Sequence, residues 1–304
     1  MPELKQFKSY EEQVQLLQCR GMYIADTARA QQVLSRLNYY RLSGYWYPMR
    51  CFDTETGEAR DEFQENASFE MVVALYEFDE QLRHDVFIEL DRVEMAIRAQ
   101  LGYELGRIEP LVHLNPGDLG QVAHRRQKDG NTVYATWLNK YEAACSSSKE
   151  DFVRHHKQKY GGEMPVWVAV EIMPWGMLSQ LYRMSPIIVR NRIAKRCGLR
   201  APQLESWLKS LNIVRNYAAH HARMFNRVYD IKPKLSSDKR LEAVQNSMNR
   251  VFGLLTLIQY LHHELKLSQA QRLPRLLEKY PHNELVPFKR LGAPDNWREL
   301  ELWA

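Results

Sequence analysis

Residues 68–105 read SFEMVVALYEFDEQLRHDVFIELDRVEMAIRAQLGYEL, and the period of their apolar side chains decides the fold class. Leu75, Leu82, Val86, Leu90, Val93 and Ile97 recur at helical spacing and give one helix a continuous buried stripe. At 1.5 Å per residue, a helix from Ser68 to about Leu105 reaches roughly 57 Å, a length that invites a kink or break.

Helical periodicity also dominates on either side of it, and no segment alternates as a strand does. Ser9 with Glu12 makes a capping box that opens a helix through EEQVQLLQCR and stops at Gly21. Asp26 or Thr27 caps a second helix through residues 28–40. Residues 41–63, with their aromatic side chains, Pro48 and Gly57, read as irregular structure with room for a short hairpin, and a boundary falls near residue 66. Beyond the long helix, 108–132 reads as a loop, and helices are expected at 133–145 and 149–160. Residues 166–184 follow as a helix kinked at Pro174, and a short helix comes after Pro186. Pro202 suits the first turn of a helix running through residue 227. Another long helix is expected over 238–266 and a short one near 268–280. The expectation is an all-α protein with three parts: a mostly helical N-terminal module (1–66), a helical bundle (67–266) and a C-terminal helical tail (267–304).

Hydrophobic residues make up 45% of the 304 and charged residues 26%, enough for a sizeable core. The formal charge of +5 permits an anionic partner such as nucleic acid without requiring one. Cys19, Cys51, Cys145 and Cys197 lie far apart with no C-x-x-C pair, which argues against a disulfide scaffold or zinc ribbon and for free thiols in a reducing cytosol. The N-terminal MPELKQFKSYEE lacks the apolar core of a signal peptide. VFGLLTLIQYL (251–261), the longest apolar segment, is shorter than the about 20 residues a bilayer requires. A cytoplasmic protein without membrane partner, metal or cofactor is expected.

The chemistry concentrates in RNYAAHHARMFNR (215–227). On a helix Asn216, His220, Arg223 and Arg227 share one face, and Arg215, about 100° around, can swing toward it. A histidine titrates near neutral pH and can move a proton to or from a ribose oxygen. A guanidinium binds phosphate in bidentate fashion and meets the charge of the transition state. An asparagine can orient either group. The 2′-hydroxyl of RNA attacks its own phosphate without a metal. The same residues also suit a solvated helix face, and arginine-to-histidine spacing recurs at Arg107/His113 and Arg275/His282, where nothing catalytic is expected. His221 lies off the stripe. The pairs His155-His156 and His262-His263 have no ligands at metal spacing and read as surface histidines.

Four ordered blocks, LSRLNYYRLSGYWYPM (34–49), VEMAIRAQLGYELG (93–106), PVWVAVEIMPWGMLSQLY (165–182) and the 215–227 stretch, resemble the signature segments of the AbiD/AbiF-type abortive-infection proteins. These are bacterial anti-phage proteins, and the resemblance covers roughly residues 5–265. That family is all-α and is placed in the HEPN superfamily (higher eukaryotes and prokaryotes nucleotide-binding). Its ribonuclease motif, arginine, a polar residue and then histidine, falls here on Arg215, Asn216 and His220, with His221 also satisfying the spacing. A second superfamily feature, an acid followed by a base on an earlier helix, falls on Glu94 and Arg98. Glu94 would hold Arg215 or polarise His220, or else form an i,i+4 ion pair with Arg98 on an exposed helix face. Ala218 and Met224-Phe225 depart from the family's usual cysteine and leucine-tryptophan.

The resemblance implies a metal-independent endoribonuclease toxin that leaves 2′,3′-cyclic phosphate ends, works as a homodimer with a shared RNA cleft, and is held in check by a small structured RNA. A non-catalytic RNA-binding protein and a phage-sensing interaction protein are the alternatives. RNA contacts are expected from Arg223 and Arg227. Tyr39, Tyr40 and Arg41, in the aromatic block, would either stack bases or pack the N-terminal module.

Overall fold

The computed structural model describes residues 4–230, 232–267 and 271–304. Ser9 and Glu12 close their capping box at the start of α1 (Tyr10–Cys19), each side chain accepting the other residue's backbone N–H. Asp26 caps α2 (Thr27–Arg36). The single helix expected to Tyr40 divides, because Asn38 accepts from Tyr40 N–H and starts α3 (Tyr39–Trp46). A two-stranded antiparallel hairpin follows, β1 (Arg50–Phe52) on β2 (Ala59–Phe63).

Ser68 then caps α4 (Phe69–Gly106), which runs unbroken for 38 residues. Beyond it lie α5 (Val133–Ser147), α6 (Asp151–Lys159), α7 (Val166–Ala169), α8 (Trp175–Met184), α9 (Ile187–Arg196), α10 (Ala201–Ala219), α11 (Val251–Glu264) and α12 (Arg272–Glu278). Helix α4 is the mast of the bundle: α3 and α7 through α12 all pack on it. All six residues of its apolar stripe are buried. Because neighbours surround it, charged residues are buried along with the stripe. A bare buried charge costs several kcal/mol, and these are paired. Asp79 meets Arg83, Glu94 meets Arg98 and Glu89 meets Arg272. Glu104 takes Arg196 at 2.8 Å and Arg192 at 3.4 Å, which ties α9 to α4. Among the described residues no helix is long and apolar enough to cross a membrane.

Three more expected helices differ. Residues 166–184 do not kink but break: α7 passes into a short 3₁₀ turn (Val170–Ile172), and Pro174, with no N–H to donate, heads α8 as its cap. The 202–227 helix stops at Ala219, for reasons given below. The helix expected over 238–266 is a 3₁₀ run (Lys239–Ser247) capped by Asp238, then a turn, then α11. That turn folds back so closely that a Cβ on Gly253 would lie 2.7 Å from the Met248 Cα. Gly253→Ala is therefore expected to cost about 1–3 kcal/mol, read as a lowered urea midpoint. The tail helix occupies 272–278, and the start of the range expected for it, 268–270, lies outside the described residues.

The histidines sort by depth. His113, fully buried in the 108–132 segment, sits edge-on to Trp137 and Tyr141, and burial pushes its pKa down to about 4. The unfolded chain takes up that proton near pH 6.5, so stability should fall as pH drops from about 6.5 to 4, by on the order of 3 kcal/mol. In urea melts at pH 7 and 4.5, His113→Phe should flatten this dependence. His262 is not at the surface as expected: it is buried and its Nε2 lies 2.9 Å from the Glu89 carbonyl. His263 and His155 are exposed.

Candidate active site at the end of helix α10

Helix α10 buries Leu204, Trp207, Leu208, Leu211, Val214 and Ala218 against the bundle, which leaves Asn212 and Arg215 half-buried at the edge of that face and Asn216 exposed on the outer side. It ends in a Schellman turn. The Ala222 N–H donates to the Tyr217 carbonyl at 3.0 Å and the His221 N–H to Ala218 at 3.4 Å, with His221 left-handed at φ +54°. His220 is the C-cap, just past the last helical residue Ala219, and its N–H still reaches the Asn216 carbonyl at 3.0 Å.

What bends the chain after His221 is a carboxylate on α4. Asp79, with no exposed surface, accepts from the Phe225 N–H at 2.7 Å and the Met224 N–H at 3.2 Å. It also accepts from the Tyr45 hydroxyl at 2.6 Å and from Arg83. Burial pushes the Asp79 carboxyl above the ordinary carboxylate range, while Arg83, Tyr45 and the two backbone donors pull it back. Met224 and Phe225 are thereby drawn into the core. Asp79, Arg83 and Tyr45 were missed as site-holding residues. A signal existed: an acid between Leu75 and Leu82 on the buried stripe, with a base four positions on.

Helix α3 grips the same turn from the other side. Arg41 donates to the His221 carbonyl at 2.8 Å, and Arg223 donates to the Gly44 carbonyl, its side chain packed so closely that a Cβ at residue 44 would lie 3.2 Å from it. The four-residue stripe expected on one helix face therefore does not form. Asn216 and His220 remain one turn apart and exposed, but Arg223 is spent on α3 and Arg227 lies 4.2 Å over the Tyr217 ring. Tyr39 is half-buried against Trp46 and Arg20, whereas Tyr40 is 64% exposed with Lys5 near its face.

Arg215 rests its guanidinium 5.2 Å over the Phe87 ring and makes no ion pair among the described residues. With Asn216 it borders an open cleft of about 420 Å³ between α5, α8 and α10. Glu94 does not reach Arg215 or His220. It forms the i,i+4 pair with Arg98 at 2.7 Å, yet on a buried rather than an exposed face. Arg98 also donates to the Met173 and Val170 carbonyls, holding the break before α8. Glu94 thus acts one layer behind the cleft, across Trp175, which lines both spaces. Arg215 and Asn216 can bind an oxyanion in the cleft, and the His220 imidazole, which makes no hydrogen bond among the described residues and is not part of the cleft's lining, is free to exchange a proton one turn further along the helix.

The family model described as Abi-like protein matches residues 32–226, from α2 to the turn that Asp79 holds. No curated protein and no solved structure matches the chain.

Proposed function

The chain belongs to the Abi-like family of abortive-infection proteins, and from that premise we propose that it is a metal-independent endoribonuclease acting in phage defence. One observation carries the proposal: Arg215 and Asn216 line a cleft with no carboxylate in its lining, His220 stands exposed one turn beyond Asn216, and none of the three has an ion-pair partner among the described residues. In the reaction, the 2′-oxygen of a ribose forms a bond to the adjacent phosphorus and the bond from phosphorus to the 5′-oxygen breaks. His220 takes the 2′-hydroxyl proton, and a proton is delivered to the departing 5′-oxygen. Arg215 binds the non-bridging oxygens as their charge grows, and Asn216 orients phosphate or imidazole. The products carry 2′,3′-cyclic phosphate and 5′-hydroxyl ends.

One chain carries one copy of the motif, so a second copy of the chain supplies the second histidine as acid, and the site is shared in a homodimer of HEPN type. The exposure of Asn216 and His220 supports such a meeting. Restraint by a small structured RNA rests on the resemblance to the AbiD/AbiF-type proteins.

The test is product analysis. Purified protein is incubated with single-stranded RNA in excess chelator and the new ends are mapped. Arg215→Lys keeps the charge but loses the planar fork, and is expected to cut at least about 10-fold more slowly. Tight RNA binding with no new 5′-hydroxyl ends would instead make this a binding protein.

A further inference from the structure

We infer that the cleft beside Arg215 is a seat for one nucleotide of single-stranded RNA, whose base is read by the side-chain amides of Asn212 and Gln180 and whose phosphate is held by Lys140. This assignment rests on the ribonuclease proposal and names what that site selects.

Three helices build the seat. On α10, Asn212, Arg215 and Asn216 share a face by their spacing of three and four, and Gln180 with Arg183 does the same on α8. Lys140 projects from the middle of α5. The buried edges of Trp137 and Trp175 form an apolar floor, and Gly176, set against Asn212, adds no bulk. A cleft of about 420 Å³ lies within the roughly 300–1,000 Å³ range of small-ligand sites.

Charge argues for an anion. The lining holds Lys140, Arg183 and Arg215 and not one carboxylate, whereas the hollow of about 390 Å³ beside α12 sets Asp85 and Glu89 against its basic residues. Arg183 is steadied at the rim by Glu205 at 3.3 Å. Lys140 has no ion-pair partner among the described residues.

Availability argues for a base. Among the described residues the side chains of Gln180, half-buried Asn212 and Asn216 make no hydrogen bond. Gln64 and Gln203, by contrast, are tied to the Arg50 and Leu235 carbonyls. An amide offers one donor edge and one acceptor edge, which match the hydrogen-bonding edge of a splayed base. That edge is open only in a single strand.

Binding and cutting are separated by using 2′-O-methyl hexanucleotides of A, C, G or U, which lack the attacking hydroxyl. In fluorescence anisotropy the wild-type protein should prefer one base. Asn212→Ala and Gln180→Ala should each flatten that preference by roughly tenfold, and Lys140→Glu should weaken all four oligomers by a similar factor. Unchanged preference in both amide variants, or unchanged affinity in Lys140→Glu, overturns the seat. If binding responds as expected while unmodified RNA is never cut, the seat stands and the ribonuclease proposal falls. In the cutting protein, the amide variants should relax the base preference beside the cleavage point, as mapped by sequencing of ends.

Discussion

His220→Ala protein is expected to cut RNA about 100- to 10,000-fold more slowly than wild type, the usual contribution of a positioned acid–base group. The imidazole stands at the helix C-cap, one turn beyond Asn216 and exposed, so its loss removes no packing. Folding should be untouched, and the urea midpoint should stay where it is. His221 is the internal control. Its left-handed backbone and its carbonyl, held by Arg41, are what the turn requires of it. Glycine supplies the same backbone at no steric cost, so His221→Gly should retain cleavage and hold or raise stability by a few tenths of a kcal/mol. Undiminished cutting by His220→Ala, with loss in His221→Gly, would exchange the two roles.

The second large effect concerns Asp79. Asp79→Ala leaves Arg83 without its counter-charge, the Tyr45 hydroxyl without its acceptor, and two backbone N–H groups unpaired in the core. Removing one partner of a buried pair costs about 3–5 kcal/mol. Asp79→Asn is the gentler variant, since its carbonyl can still accept from Met224 and Phe225 while its NH₂ faces Arg83. Its amide hydrogen exchange should quicken at 220–226 before elsewhere, because a neutral amide holds the Met224 and Phe225 N–H groups more weakly than the carboxylate does, and RNA cleavage should fall with it. Exchange at 220–226 equal to wild type would show that Asp79 supports the core but not the turn.

The long helix was legible because six apolar residues at helical spacing can bury themselves in only one way. Its buried acids were not, since a charge goes inside only when tertiary partners meet it, and Arg192 and Arg196 lie some 90 positions from Glu104. The end of α10 was hidden for a related reason. RNYAAHHARMFNR contains neither glycine nor proline, and its stop comes from a left-handed histidine and from Asp79, 145 residues upstream. Leu241, Val244 and Met248 at spacings of three and four fit α and 3₁₀ geometry alike, and the contact at Gly253 decided between them. Arg215, Asn216 and His220 could be named as candidates from residue type, spacing and the resemblance of the four ordered blocks. The far walls of the cleft were not, because α5 and α8 meet α10 only in the folded bundle.

The grip on the turn after His221 also sets an order of events in synthesis. Arg41 and His221 are 180 positions apart, Arg223 and Gly44 are 179, and Asp79 and Phe225 are 146. Contacts of such long sequence separation form late, after local helices. A ribosome that has delivered residue 219 has made the helix that carries Arg215 but not the turn that fixes its end. Until residues 220–225 have emerged and closed onto α3 and α4, the growing chain holds its candidate reacting groups in no defined arrangement.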